Sequence, residues 1–380
     1  MLTRSPYYTA DHEAFRDQLR RFVAKEIAPY VDQWDEVGEF PRELYRKAAG
    51  VGLLGLNFPE EFGGVPADRF YAVILGQELA RAGSGGVAAS LMSHTIGSPP
   101  IAKLGSEALK RKVLPAVLSG EKISALAITE PSGGSDVANL KTTAKKDGAH
   151  YVVKGEKTFI TSGMRADFYT VAVRTGGPGM GGISLLLIER DTPGFTRTPL
   201  KKMGWWASDT ATLHFDDCRV PVENLIGQEN AGFMGVMLNF NDERLGLSAS
   251  AIGFARTAYD EALDYAKQRE AFGKTLLGHQ VLRHKLVDMA QRIEASQAFL
   301  ERIAWALDQG ENPIAELCML KNQATQTMAF CASEAVQILG GAGFMRGAKS
   351  ERIYREVKVN AIGGGTEEIM KDLASRQLGW

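Results

Sequence analysis

Three consecutive glycines, Gly363–Gly365, run directly into Thr366 and two glutamates in the stretch AIGGGTEEIM. Glycine has no side chain to pack and loses the most conformational entropy on folding, so a run of three needs a physical reason. The run is either a flexible tail or a backbone that lets a large ligand come close. This stretch alone leaves both interpretations open.

A second group of small polar residues lies in AITEPSGGSDVANLKTTA, where Thr129 precedes a Pro-Ser-Gly-Gly-Ser segment. Glycines and small hydroxyls let backbone N–H groups face an anionic or polar ligand at close range. A polar surface turn is the alternative, and the segment taken alone would favour it.

One acidic residue with an unusual setting is Glu243, directly before Arg244 in the stretch NFNDERLGLS. Its neighbours on a helix include Phe240 and Leu247, so it shares a largely uncharged face. A carboxylate in such a place is costly unless it is solvated or used. The alternative is an exposed glutamate paired with a lysine. Asp242 points to a different face and is the weaker candidate for chemistry.

Other chemical motifs are poorly supported. The segment GGPGMGG fits a GxGxxG pattern, but a strand-like stretch follows it, so a hairpin turn is the better interpretation. The chain has no HExxH or GxSxG motif, and His279 and His284 have a poor spacing for metal ligands on a helix. We therefore expect neither a metal site nor a serine nucleophile.

The composition predicts a soluble, intracellular globular protein. With 380 residues and 44% hydrophobic content, the chain can form two or three domains. A formal charge of −1 gives no basic field for nucleic acid. The three cysteines are widely spaced, the first residues lack a secretory pattern, and no apolar run is long enough to span a membrane.

The periodicity of the sequence divides the chain into three zones. In residues 1–122 the apolar residues recur at helical spacing, which predicts helices, with Asp11 as a candidate N-cap of the first helix. Residues 123–228 hold short β-branched stretches separated by turns, which is typical of an antiparallel, barrel-like β domain. Residues 229–380 return to long helical periods that suggest a four-helix bundle. The predicted fold class is therefore α+β and multidomain.

Five motifs occur in a fixed order: AITEPSGGSD, KTFITSG, QREAFGKTLLGHQ, AVQILGGAGF and GGGTEEIM. Together they resemble the acyl-CoA dehydrogenase family over nearly the whole chain, and the succession of zones matches the fold of that family. The resemblance implies an FAD-dependent enzyme that acts on acyl-CoA thioesters.

The resemblance also implies which residues hold the flavin. Those matched to contacts within one chain are Leu126, Ile128, Thr129, Ser135, Phe159, Ile160, Thr161, Thr366 and Glu368. Phe159 matches an aromatic residue that lies against the isoalloxazine ring. Many members have tryptophan at this position, so stacking is kept but an indole donor is not.

Another set matches flavin contacts that a neighbouring subunit provides in the family: Arg269, Phe272, Gln280, Gln337, Ile338, Gly340 and Gly341. The resemblance therefore implies a homotetramer built as a dimer of dimers. Simpler alternatives are a core position for Phe272 and a solvated helix charge for Arg269.

The catalytic base departs from the commonest pattern of the family, which has a glutamate where this chain has Gly364. Glu367 and Glu368 are not substitutes, because they follow Thr366. A second branch, which includes isovaleryl-CoA and long-chain acyl-CoA dehydrogenases, carries the base on the first long bundle helix before an arginine. That position is Glu243. The implied substrate contacts are Ser135, Asn241, Arg244, Gly364 and Gly365.

The reaction implied is removal of an α-proton and transfer of hydride from the β-carbon to flavin N5, which gives a trans-2-enoyl-CoA. Electrons would pass to an electron-transferring flavoprotein, in the cytoplasm of a bacterium or the mitochondrial matrix of a eukaryote. We expect Gly363 and Gly364 to leave volume for a branched acyl group. An acyl-CoA oxidase and a flavin-binding scaffold without catalysis are the competing interpretations.

Overall fold

The first zone of the chain is helical. The computed structural model describes residues 5–380, apart from the side chains of residues 238, 239 and 241. The helices described before the first strand are α1 Ala10–Phe22, α2 Val31–Val37, α3 Glu43–Gly50, α4 Arg69–Ala80, α5 Gly85–Leu91, α6 His94–Gly97, α7 Pro99–Leu104 and α8 Glu107–Leu118. Short π and 3-10 turns at Val23–Ile27 and Ala28–Tyr30 connect α1 to α2.

Side chains cap the first backbone N–H groups of α1 and α4. The hydroxyl of Thr9 accepts from the N–H of His12 at 3.4 Å, and the His12 ring accepts from the N–H of Thr9 at 3.0 Å. Asp68 caps α4 by accepting from the N–H of Phe70 at 2.9 Å. The predicted N-cap, Asp11, is wrong, because it already lies inside the first turn, whereas a capping residue must precede that turn.

The middle zone folds into one sheet. Its strands are β1 Ser124–Ala127, β2 Thr143–Asp147, β3 His150–Ile160, β4 Phe168–Arg174, β5 Ile183–Glu189, β6 Phe195–Pro199, β7 Ala211–Pro221 and β8 Leu225–Ile226. They are ordered β6-β7-β3-β2-β4-β5-β8, and β1 pairs with β4. Most neighbours are antiparallel, as predicted, but β1 and β2 run parallel to β4.

The glycine-rich segment GPGMGG connects β4 to β5. These two strands pair antiparallel from Phe168 opposite Glu189 to Arg174 opposite Ile183. A single 3-10 turn, Met180–Gly182, lies in the connection. The predicted hairpin is confirmed, and a strand rather than a helix N-terminus follows the glycines, so the segment lacks the geometry that binds a dinucleotide phosphate.

Long helices form the last zone, as predicted. They are α9 Gly232–Gln268, α10 Gln280–Asp308, α11 Ile314–Leu339, α12 Gly341–Phe344, α13 Lys349–Ile362 and α14 Glu367–Gln377. A small hairpin of β9 Glu270–Ala271 and β10 Lys274–Thr275 joins α9 to α10. In the described part of the chain, no helix is both long and apolar enough to cross a bilayer.

The hydrophobic clusters cross the boundaries between zones. One cluster joins the first helices to the sheet, and a second joins α4 to the bundle. A third contains Ile128 at the end of β1 and Val236 on α9, with Phe240 packed against it. The first turns of α9 are therefore fixed against the sheet, so the residues that follow on this helix have a defined position relative to the sheet.

Candidate active site

The carboxylates of Asp242 and Glu243 point in different directions from α9. Asp242 Oδ1 lies 3.2 Å from Nη2 of Arg69, and its Oδ2 lies 3.8 Å from Nζ of Lys103. Glu243 is half-buried and forms no ion pair among the described residues. The alternative of an exposed Glu243 paired with a lysine does not fit this environment.

The glycine run forms the turn between α13 and α14, and this turn faces Glu243. Gly364 has a φ of +68° and Gly365 a φ of +107°, backbone conformations that residues with a side chain rarely adopt. A Cβ built on Gly364 would lie 3.8 Å from Oε1 of Glu243. A side chain at position 364 would therefore approach the point that the Glu243 carboxylate occupies.

The space beside Gly364 is not free, contrary to our expectation of volume for a branched acyl group. A Cβ on Gly364 would lie 2.7 Å from Cδ1 of Leu247, one helical turn after Glu243. A Cβ on Gly363 would meet the Val359 carbonyl oxygen at 3.2 Å. Leu247 thus fills the volume that the missing side chain leaves, because α9 packs directly against the turn.

Burial changes the acidity of the Glu243 carboxyl. It raises the pKa of Glu243 to about 7, although the charges of Arg244 and Lys321 act to lower it. A carboxyl with such a pKa is partly ionised near neutral pH, which suits a general base in that range. Arg244 also donates from Nε to the Gly364 carbonyl oxygen at 3.4 Å and so connects α9 to the turn.

A bulge in β3 presents the ring of Phe159 to the exterior. The pairing of β3 with β7 is irregular between Lys157 and Ile160, and Phe159 has a φ of +62° with 68% of its surface exposed. The preceding N–H, of Thr158, donates to the Thr129 carbonyl oxygen at 2.8 Å. A strained residue with an open aromatic face is typical of a ligand contact.

The loop beside Phe159 is open and polar. Residues 131–136, including Ser135, are exposed. A Cβ on Gly134 would lie 3.3 Å from Cγ2 of Thr129, whereas a Cβ on Gly133 would meet nothing within 4 Å. An exposed ring beside small residues with accessible backbone N–H groups fits a flat cofactor that carries polar substituents.

A buried ion pair that the sequence motifs did not reveal holds this loop. Nζ of Lys157, on β3, lies 2.8 Å from Glu130 Oε1 and donates to the Ile128 carbonyl oxygen at 2.9 Å. Glu130 also accepts from the N–H groups of Lys141 and Thr142, at 2.6 and 2.8 Å. The signal available in the sequence was a lysine at an inward position of a strand in KGEKTFIT.

Other predicted flavin contacts in this part of the chain lie close to the same loop. Ile128 and Ile160 are buried, while Leu126 and Thr161 are half-buried. The predicted substrate contact Asn241 lies outside the described side chains. Leu126 shares a hydrophobic cluster with the first turns of α9, so the loop and the base helix are packed against each other.

The predicted contacts for a neighbouring subunit begin at the end of α9. Phe272 lies in the tight turn between β9 and β10, has a φ of +52° and is 97% exposed. The alternative of a core position for Phe272 is therefore wrong for the single chain. Arg269 and Gln280 are also exposed. The alternative of a solvated charge at Arg269 stays open.

Gln337, Gly340 and Gly341 are exposed at the end of α11, whereas Ile338 is buried. An ion pair between Lys285 of α10 and Glu334 of α11 shows that the start of α10 and the end of α11 lie side by side. The structure therefore brings the Gln280 and Gln337 segments to one end of the bundle.

That end is distant from Glu243 within one chain. Lys321, whose charge acts on Glu243, precedes Gln337 on α11 by roughly 24 Å at 1.5 Å per residue. Thr366 and Glu368 lie instead next to the glycine turn, where the Thr366 hydroxyl caps α14 by accepting from the N–H of Ile369 at 3.3 Å. The exposed candidates thus form two separate groups.

Domain profiles of one family match the three zones of the chain. The profile described as "Acyl-CoA dehydrogenase, N-terminal domain" matches residues 9–121. The profiles of the middle and C-terminal domains of acyl-CoA dehydrogenase match residues 125–218 and 230–379.

Individual proteins agree with these profiles. The chain is 39% identical over 375 residues to an acyl-CoA dehydrogenase of Bacillus subtilis (strain 168), with 98% of this chain and 99% of that protein covered. It is 39% identical to the crystal structure of an acyl-CoA dehydrogenase from Geobacillus kaustophilus, with a TM-score of 0.95 over 99% of this chain and 100% of that one.

A more distant structure was solved with a flavin. It is a glutaryl-CoA dehydrogenase from Mycobacterium smegmatis in complex with FADH2, 26% identical, with a TM-score of 0.93 over 98% of this chain and 95% of that one. The profiles, relatives and structures agree, and the chain belongs to the acyl-CoA dehydrogenase family of flavin-dependent oxidoreductases.

Proposed function

We propose that this chain converts an acyl-CoA thioester to a trans-2-enoyl-CoA, with Glu243 as the base that removes the α-proton. The observation that carries the proposal is the carboxylate of Glu243, which faces the Gly364 turn and has its pKa raised to about 7. Family membership supports the reaction class, and this geometry supports the assignment of Glu243 as the base.

The α-proton of a thioester is weakly acidic, so a positioned base must act together with a donor that stabilises the developing enolate oxygen. Glu243 is the base. The backbone N–H of Gly364 donates to no protein acceptor among the described residues, and it is available for the thioester oxygen. This N–H does not depend on the side chain at position 364, so a glycine there keeps the donor.

FAD is the proposed cofactor and supplies the hydride acceptor at flavin N5. Phe159 and Thr161 would lie against its ring system, and Thr129 and Ser135 would contribute polar contacts from the loop after β1. The exposed ring of Phe159 at a bulge and the buried Lys157–Glu130 pair under the loop support this assignment. Thr366 and Glu368 would hold the adenine-ribose side from the start of α14.

The second group of exposed residues supports a role across a subunit boundary. Phe272, Arg269, Gln280 and the Gln337–Gly341 segment lie at the bundle end distant from Glu243, so we assign them to FAD held by a neighbouring chain. The proposed assembly is a homotetramer built as a dimer of dimers. The proposed electron acceptor is an electron-transferring flavoprotein. The compartment would be the cytoplasm of a bacterium or the mitochondrial matrix of a eukaryote.

An anaerobic titration of the flavin-loaded protein with a panel of acyl-CoA thioesters tests this function. The panel should contain short branched, long linear and terpenoid acyl groups, and flavin absorbance at 450 nm should decrease with at least one of them. No bleaching with any thioester would favour a flavin-binding scaffold without catalysis. Rapid oxygen consumption by the reduced protein would instead favour an acyl-CoA oxidase.

A further inference from the structure

A buried lysine, Lys321, holds both ends of the turn that faces Glu243. Its side chain on α11 has no exposed surface. Nζ donates to the carbonyl oxygen of Ala361 at 2.9 Å and to that of Gly365 at 2.7 Å. These two carbonyls flank Gly363 and Gly364, so one ammonium group fixes the start and the end of the turn.

The position of the ammonium group has a physical reason. Ala361 lies in the last turn of α13, where carbonyl groups lack partners within the helix and the helix dipole is negative. A lysine charge there is favourable, whereas a buried charge without hydrogen bonds would be very costly. The next residue on α11, Asn322, donates from its side chain to the Glu367 carbonyl oxygen at 3.0 Å and supports the same turn.

Charged and titratable groups surround Lys321 on several elements. Burial lowers the pKa of Lys321 to about 8, and the charge of Arg244 lowers it further. Three groups act to raise this pKa: Glu367 from α14, Glu243 from α9 and Cys318 on α11 itself. Lys321 is therefore largely charged at pH values below about 8. Its charge in turn favours the ionised form of Glu243.

We propose that Lys321 is a positioning residue for proton abstraction: it closes the Gly363–Gly365 turn over Glu243, and its charge favours the carboxylate form of that base. This inference rests on the proposed function of Glu243. It assigns to Lys321 two separable effects, one on the geometry of the turn through two hydrogen bonds and one on the ionisation of Glu243 through charge.

Three replacements separate the two effects. Lys321→Arg keeps the charge, Lys321→Gln keeps an amide donor without the charge, and Lys321→Met removes both. The rate of anaerobic flavin reduction by an acyl-CoA should rise with pH as Glu243 ionises. This rise should move to higher pH by about one unit in the Gln and Met variants, because they lack the positive charge that favours the Glu243 carboxylate. Below the transition, that shift makes reduction about tenfold slower. In the Arg variant, which keeps a positive charge, the pH of the transition should change little.

Asn322→Ala is the matched control, because Asn322 holds the same turn without a charge near Glu243. It should leave the pH of the transition unchanged. Hydrogen–deuterium exchange of the apoprotein gives a readout without catalysis: peptides covering residues 361–366 should exchange faster in Lys321→Met than in Lys321→Gln.

A pH transition that stays in place in both uncharged variants would overturn the inference. So would a failure of all three variants to fold, because Lys321 would then be a purely structural residue. If Glu243→Gln also reduces flavin at the normal rate, the assignment of Glu243 as the base, on which this inference rests, is wrong. If Glu243→Gln is inactive while the Lys321 variants keep the normal transition, only the inference about Lys321 fails.

Discussion

At the scale of single residues, we propose that one chemical role can be served from two positions in the sequence. Glu243 on α9 and Gly364 in the turn before α14 approach one point, since a Cβ on Gly364 would lie 3.8 Å from the Glu243 carboxylate oxygen. A base could therefore reach this point from either segment. The two positions are not equivalent, because the backbone at 364 is left-handed and Leu247 fills the space in front of it.

An exchange of the two positions tests this relation. Glu243→Gly alone should abolish flavin reduction by acyl-CoA, and addition of Gly364→Glu should restore a small part of it. A third change, Leu247→Ala, should improve the recovery because it removes the methyl group that lies 2.7 Å from the new Cβ. Recovery should stay incomplete, since a left-handed residue other than glycine costs roughly 1–2 kcal/mol and a base misplaced by about 1 Å can lose on the order of a hundredfold.

The measurement is the rate of anaerobic flavin reduction in the single, double and triple variants, with flavin content as the control for folding. If neither the double nor the triple variant reduces flavin faster than Glu243→Gly, the two positions do not serve the same carbon atom.

At the scale of elements, a buried ion pair holds the loop after β1, where we propose contacts with flavin. Glu130 binds two backbone N–H groups of the chain that follows the loop, and Lys157 of β3 binds Glu130 and the Ile128 carbonyl. Residues 131–136 of the loop are exposed, and Gly133 donates its N–H to the Glu130 carbonyl oxygen at 3.0 Å. The conformation of the loop at the proposed flavin site therefore depends on the buried side chains of Glu130 and Lys157.

Lys157→Met should loosen this loop. It leaves the Glu130 carboxylate buried without its cation, and removal of one partner of such a pair typically costs about 3–5 kcal/mol. We expect a lower melting temperature of the apoprotein and a lower flavin content of the purified protein. Lys154→Met is the matched control on the same strand: its ion pair with Asp217 is exposed, so the change should alter stability by no more than about 0.5 kcal/mol. Equal effects of the two changes would contradict the proposed role of the pair.

The sequence predicted those features that a local pattern determines, such as helices. It did not predict features that depend on how distant elements pack, such as the space beside Gly364. The apolar period predicted α9, α10 and α11, which the structure contains, whereas the base at Glu243, before Arg244, stays a prediction. Gly363 and Gly364 were expected to leave volume for an acyl group, but the side chain of Leu247 lies in front of Gly364. The position of Leu247 depends on how closely α9 packs against the turn.

The two buried lysines are a similar case. Lys157 and Lys321 have partners at separations of 27 and of 40 and 44 residues, so no local pattern identifies those partners. What the sequence does contain is a single lysine directly after the apolar run LCML of α11, within AELCMLKNQATQTMAF. Such a residue is a signal of a buried charge, but its role is visible only in the fold.

At the scale of the whole molecule, Glu356 lies where all three zones meet. It is 1% exposed on α13 and accepts from the N–H of Gly85 in α5 at 2.7 Å and from the N–H of Trp205 in the β zone at 3.0 Å. Burial raises the pKa of Glu356 to about 7. The native state therefore binds a proton there at pH values where an unfolded chain, with a glutamate pKa near 4.5, does not.

This difference predicts a pH dependence of stability. The contribution of Glu356 to the free energy of unfolding is complete below pH 4.5. It is lost as the pH rises from there through about 7, at up to about 1.4 kcal/mol per pH unit. The glutamine in Glu356→Gln cannot ionise, so the free energy of unfolding of this variant should fall less steeply between pH 5 and 8 than that of the wild type. Urea unfolding of the apoprotein at several pH values measures it, with the exposed Glu60→Gln as the control. Parallel pH profiles for wild type and Glu356→Gln would contradict the prediction.

The proposed tetramer makes a prediction at the same scale. Phe272 is almost fully exposed in one chain, so Phe272→Ala should leave the stability of a single subunit nearly unchanged. It should nevertheless lower the flavin content and weaken subunit association, if the ring contacts FAD held by the neighbour. Analytical ultracentrifugation with detection at 450 nm measures both. Met180→Ala, an exposed residue in the β4–β5 hairpin, is the control. A flavin-loaded monomer of the wild-type protein would contradict this assembly.

The central claim is that Glu243 removes the proton, and stopped-flow reduction of the flavin in Glu243→Gln tests it most directly. The variant keeps the shape of the side chain but has no group that ionises. We expect it to bind FAD and acyl-CoA normally and to reduce flavin more slowly by roughly three orders of magnitude, while Glu367→Gln loses far less. Flavin reduction by Glu243→Gln at a near-normal rate, with the same acyl-CoA and pH, would show that the base is another residue.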